Sequence, residues 1–169
     1  DWDETLASIN ELCRIERIAR DRLRLGIMVE VPSAALAIES FLERADFVSI
    51  GTNDLVQYVF AVARDEPELE SYRQNLHPVI MTTIRTIAQA GQTHERDVSV
   101  CGQVAGDPMA ACLLVGAGIR SLSMPPSSIP KVRSAIEKFT LRQLIERLDI
   151  VVHQEYANQI KDVVSSWSE

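Results

Sequence analysis

The 169 residues are 46% hydrophobic, 24% charged and 5% aromatic, enough for one globular domain with its own core. A net charge of −7 excludes a sequence-independent nucleic-acid binder, which needs a basic surface to displace counterions. No apolar run approaches the roughly 20 residues of a membrane span, the charged start Asp1-Trp2-Asp3-Glu4 is unlike a signal peptide, and Cys13, Cys101 and Cys112 lack the spacing of disulfides or zinc sites. A cytoplasmic protein with neither nucleic-acid nor membrane partners is expected, and the absence of an initiating Met suggests a piece of a longer one.

In chain order, residues 5–22 set Leu6, Ile9, Cys13, Ile15 and Ala19 at helical spacing between charges, which predicts an amphipathic helix. Residues 23–30 predict a strand that stops on Glu30, and Pro32 then suits the first turn of a helix ending at residue 42. Residues 45–50, with Phe47, Val48 and Ile50, predict a second strand, after which Asp54 opens a helix over 55–61. An acidic excursion spans residues 64–78, a length that usually carries function. Pro78 begins a helix to about residue 92, striped by Ile80, Ile84, Ile87 and Ala88. Residues 98–101 predict a third strand, ending on a thiol. Asp107 reads as the N-cap of a helix to about 115, with Pro108 at its first position. A fourth strand at 119–124 closes on Pro125-Pro126, and residues 128–138 and 141–167 read as helical.

These are about four βα units over 1–138, with a helical tail over 139–169 belonging to the same domain. Such units run parallel and build either a doubly wound sheet or part of a (β/α) barrel; at about 250 residues for a full barrel, this chain is too short to close one alone. Parallel folds keep their chemistry at the C-terminal strand ends, so Glu30 and Asp54 are expected to point into one shared cavity as metal ligands, with Cys101 on its rim. Taken singly, each has a plainer reading: the carboxylates serve helix N-termini, Cys101 is a small packed residue and Arg64 is a solvated charge.

The stretches GIMVEVPSAA at 26–35, DFVSIGTNDLVQY at 46–58, AVAR at 61–64 and VCGQVAGDPMA at 100–110 resemble the phosphoenolpyruvate-binding barrel of enzyme I, the phosphoenolpyruvate-protein phosphotransferase. The spacing agrees: 24 residues from Glu30 to Asp54, 10 to Arg64 and 37 more to Cys101. The resemblance runs from about residue 20 to 138, and Leu76-His77-Pro78 and Gly106-Asp107-Pro108-Met109 bring it closest to the nitrogen-type paralogue. It implies the C-terminal half of a (β/α)8 barrel of the phosphoenolpyruvate/pyruvate type. Phosphoryl would pass from phosphoenolpyruvate to a histidine on a separate N-terminal domain, then to an HPr-like phosphocarrier protein, with release of pyruvate.

By the same resemblance Glu30 and Asp54 hold Mg²⁺, Asn53, Asp54 and Arg64 contact the substrate, Cys101 is the acid that protonates the enolate, and the protein is a homodimer. Two of its positions depart from the pattern. Gln103 stands where the family usually has Glu, and Ala63 replaces an acidic residue before Arg64. The phosphorylatable histidine and the earlier barrel strands are not in the sequence, so the isolated chain is expected to be inactive. The alternatives are another enzyme of the same barrel group, of the pyruvate phosphate dikinase or phosphoenolpyruvate synthase type, and a silent dimerisation or regulatory module.

Overall fold

The structure is a computed structural model that describes residues 2–62, 76–154 and 160. Four strands, β1 (Gly26–Val29), β2 (Phe47–Gly51), β3 (Asp97–Cys101) and β4 (Ser121–Ser123), lie side by side in the order β1-β2-β3-β4, and every pairing is parallel. The order never reverses. Among the described residues the strands follow chain order, each βα unit laid beside the one before it.

Register explains which side chains are covered. Val29 pairs with Ile50, Val48 with Val98 and Ile50 with Val100, so one face is a layer of β-branched residues; Val29, Val48, Ile50 and Val100 are fully buried. Helices cover this face. The other face carries Met28, Ser49, Ser99 and Cys101, aligned across β1 to β3, and Met28 is 50% exposed. Gly26 makes room for Phe47 at the head of β1, where an added Cβ would lie 2.3 Å from the present position of the ring.

The helices are α1 (Trp2–Glu16), α2 (Pro32–Leu36), α3 (Ile38–Leu42), α4 (Thr52–Phe60), α5 (Pro78–Thr93), α6 (Pro108–Gly116), α7 (Ile129–Ile136) and α8 (Leu141–Val152). The stripe expected on α5 is the buried one, with Ile80, Met81, Ile84 and Ile87 fully enclosed. Each such side chain contributes about 1.5–3 kcal/mol relative to exposure. α6 is apolar on all sides because it packs against both α7 and α8. Gly116 permits that approach: a Cβ there would stand 2.3 Å from the Leu144 carbonyl oxygen on α8. α8 is amphipathic, burying Leu144, Leu148 and Val151, and begins with a capping box between Thr140 and Gln143.

Several expectations change. The helix expected over 5–22 stops at Glu16, where Arg17 takes a left-handed φ of 56°, and a 3₁₀ turn at Arg20–Arg22 follows. The single helix expected up to residue 42 is two short ones broken at Ala37, whose φ of −98° and ψ of 20° are not helical. β1 and β4 are shorter than the apolar runs that predicted them. Among the described residues no helix is long and apolar enough to cross a membrane.

Candidate active site

The C-terminal ends of β1, β2 and β3 carry Glu30, the Asn53-Asp54 pair and Cys101, each placed through local geometry. Glu30 follows β1 by one residue and lies against the last residue of β2. A Cβ added to Gly51 would fall 3.0 Å from Glu30 Cβ and 3.2 Å from its Oε2, so a larger residue would crowd the carboxylate. Gly51 also serves as the N-cap of α4, with no side-chain cap of its own. The helix starts earlier than expected, at Thr52, and Asp54 sits in its first turn, where a negative charge suits the helix dipole.

Asn53 is tied to the 3₁₀ turn Gln103–Gly106 that follows β3. Its Oδ1 accepts the Gln103 backbone N–H at 3.2 Å, and its two amide N–H donors make no hydrogen bond to the described residues. Thr52, buried at 1% exposure, donates to the Cys101 carbonyl at 2.8 Å. The Gly102 link between these contacts has a φ of 109°, and a Cβ there would come within 2.5 Å of Thr52 Oγ1. Both the backbone angle and the crowding select glycine.

Cys101 ends β3, opposite Gly51 and Ser123. Its thiol donates to the Ile50 carbonyl at 3.5 Å, and its sulfur accepts from Ser49 Oγ at 3.8 Å. The half-buried sulfur stands on the face of the sheet that carries Met28, Ser49 and Ser99. Sequence reasoning missed Ser49 and Thr52. Ser49 had a visible signal: it is the polar residue inside the apolar run Phe47-Val48-Ser49-Ile50, two positions before Gly51 and so on the same face.

His77, within the excursion expected over 64–78, is the N-cap of α5: its Nδ1 accepts the Val79 N–H at 3.2 Å, and its ring meets Phe60 edge-on at 4.9 Å. Burial lowers its pKa from the ordinary 6.5. Arg64 lies outside the described residues.

Could this end of the sheet hold a divalent cation? Glu30, Asp54 and Asn53 offer oxygen donors only, which suits a hard ion, and Gly51 keeps room beside Glu30. Among the described residues no group of three or more His, Cys, Asp or Glu could hold a metal. The set fits an ion such as Mg²⁺, which takes one or two carboxylates and fills its remaining positions with water and substrate oxygens.

A four-stranded parallel sheet with helices, carrying acidic, amide and thiol groups at its C-terminal edge, defines an α/β domain whose chemistry would sit at those strand ends. The chain belongs to the family of PEP-utilising enzymes, PEP-binding domain, which it matches over residues 4–141. It is 41% identical over 158 residues to the multiphosphoryl transfer protein of Xanthomonas campestris pv. campestris, covering 92% of this chain and 19% of that protein. It is 42% identical over 122 residues to the phosphoenolpyruvate-protein phosphotransferase of Streptomyces coelicolor, covering 72% and 22%. With a protein of Escherichia coli described as the phosphoenolpyruvate-dependent phosphotransferase system it shares 32% over 146 residues, covering 86% and 20%. The chain thus spans about a fifth of the length of these relatives.

Proposed function

We propose that the chain is the second half of the phosphoenolpyruvate-binding (β/α)8 barrel of a phosphoenolpyruvate-protein phosphotransferase, with residues 1–138 forming barrel wall and 139–169 a helical tail of the same domain. The observation that carries the proposal is the convergence of Glu30, Asn53 and Cys101 on the C-terminal ends of three adjacent parallel strands. The uniform strand order and the uncovered Met28, Ser49, Ser99 and Cys101 face support a barrel completed by strands outside this chain. In the complete protein, phosphoryl would pass from phosphoenolpyruvate to a histidine of an N-terminal domain and on to an HPr-like phosphocarrier protein. The motifs at 76–78 and 106–109 favour the nitrogen-type paralogue.

Glu30 and Asp54 would hold Mg²⁺, which when bound neutralises charge on the phosphate and carboxylate of the substrate. Asn53, anchored through its carbonyl oxygen, keeps its N–H donors for substrate oxygens. Arg64 is assigned the phosphate, which a guanidinium fork recognises with two parallel hydrogen bonds. As the bridging P–O bond breaks and phosphoryl moves to the histidine nitrogen, the electron pair left behind forms the pyruvate enolate. Cys101 gives its thiol proton to the methylene carbon, yielding pyruvate, and the thiolate regains a proton from solvent.

Outward-facing apolar residues, Leu36 at 89% exposure, Tyr58 at 55% and Val79 at 49%, support a homodimer through this domain. The test is Mg²⁺-dependent binding of phosphoenolpyruvate by the complete protein. Glu30→Gln and Asp54→Asn should each weaken it about tenfold or more; wild-type affinity and Mg²⁺ dependence in both variants would reject the assignment.

A further inference from the structure

At the opposite end of the strands from Cys101, a cavity of about 610 Å³ opens between the first residues of β2, β3 and β4 and the last turn of α5. Its size is that of a small-molecule site, roughly 300–1,000 Å³. Three arginines line it, each just ahead of a strand: Arg24 before β1, Arg96 before β3 and Arg120 before β4. Asp97 is the one acidic residue in the lining, so three guanidiniums against one carboxylate leave it at +2, in a chain whose net charge is −7.

Backbone carbonyls hold each of the arginines. Arg24 Nη2 donates to the Asp46 carbonyl at 3.0 Å and to Asp97 Oδ2 at 2.9 Å. Arg96 Nε donates to the Leu42 carbonyl at 3.5 Å, and Arg120 Nη1 donates to the Val115 and Ile119 carbonyls, both at 3.0 Å. These bonds occupy one or two nitrogens of each group. Both Nη atoms of Arg96, and Nε and Nη2 of Arg120, make no hydrogen bond to the described residues. Gln92 and Ser121 add neutral polar groups to the wall. Carbonyl-anchored guanidiniums with spare forks match the oxygens of phosphate or carboxylate groups.

We propose that this cavity binds a small dianion, carrying either a phosphate group or two carboxylates, whose oxygens bridge Arg96 and Arg120. The site is remote from the strand ends that carry Glu30 and Cys101, and occupancy would tie the starts of β3 and β4 together. Calorimetric titration of the 169-residue chain with inorganic phosphate, and separately with succinate, at fixed ionic strength tests it. The expected result is one saturable site for at least one of the two anions, and the anion that binds identifies the chemistry. Arg96→Gln with Arg120→Gln should weaken binding about tenfold or more, the loss expected for charge-assisted hydrogen bonds. Arg120→Lys, which keeps charge without the fork, should lose less. Should the double variant fail to fold, Arg120→Gln alone decides, with the same direction. Unsaturable binding of both anions, unchanged affinity in the arginine variants, or loss of binding in Asn53→Ala instead would overturn the proposal.

Discussion

Gly51 and Glu30 meet across the ends of two adjacent parallel strands, where a Cβ on Gly51 would lie 3.2 Å from the Glu30 carboxylate oxygen. The glycine is selected by its neighbour rather than by its own backbone, since its φ of −84° is open to any residue. In the complete protein Gly51→Ala should displace Glu30 and weaken Mg²⁺ about tenfold, as loss of ligand support typically does. Titrating turnover against Mg²⁺ checks this. An unchanged Mg²⁺ requirement would mean that Glu30 lies outside the metal site.

Gly116 meets a main-chain atom instead of a mobile side chain, the Leu144 carbonyl on α8, at 2.3 Å from an added Cβ. Backbone cannot rotate aside, so Gly116→Ala should force α6 and α8 apart at a cost of about 1–3 kcal/mol. Urea unfolding measures it. Stability equal to the unmodified chain would refute the tight α6 to α8 packing.

Asp107 Oδ1 accepts the N–H groups of Met109 at 3.0 Å and Ala110 at 2.8 Å, satisfying two donors at the start of α6. Asp107→Ala should cost about 1 kcal/mol, whereas Asp107→Ser should restore most of it. If Ala and Ser prove equivalent in thermal unfolding, the cap contributes nothing.

His77 links stability to pH. Its Nδ1 can accept the Val79 N–H only when unprotonated, and burial lowers its pKa in the fold from 6.5. The unfolded chain therefore binds the proton more readily. The His77 contribution is complete above about pH 6.5 and is lost as the pH falls from there through the depressed folded value. Comparing urea midpoints of the chain and of His77→Asn between about pH 5 and 8 should show the difference shrinking on acidification. A constant difference would contradict the cap.

Local signals were legible from the sequence and cross-strand ones were not. Asp107 followed by Pro108, and Pro78 before the Ile80, Ile84 and Ile87 stripe, announced helices because capping and periodicity act within a few residues. The break at Ala37 carried no Gly or Pro to betray it. Helix propensity also favoured running past Glu16, where Arg17 instead turns left-handed. At the candidate site, strand ends located Glu30 and Cys101. The Ser49 to Cys101 and Asn53 to Gln103 contacts join residues about fifty positions apart, and only the parallel register of β2 on β3 brings them together.

Cys101 is proposed to deliver a proton to carbon rather than to fill space at the strand end. Exchange of the pyruvate methyl protons with deuterated water, followed by proton NMR on the complete phosphorylated protein with Mg²⁺, isolates that step. Cys101→Ala should leave Mg²⁺ and phosphoenolpyruvate affinity largely intact and slow exchange about 10² to 10⁴-fold, the range for loss of a positioned acid. Exchange by Cys101→Ala at the unmodified protein's rate would contradict the account.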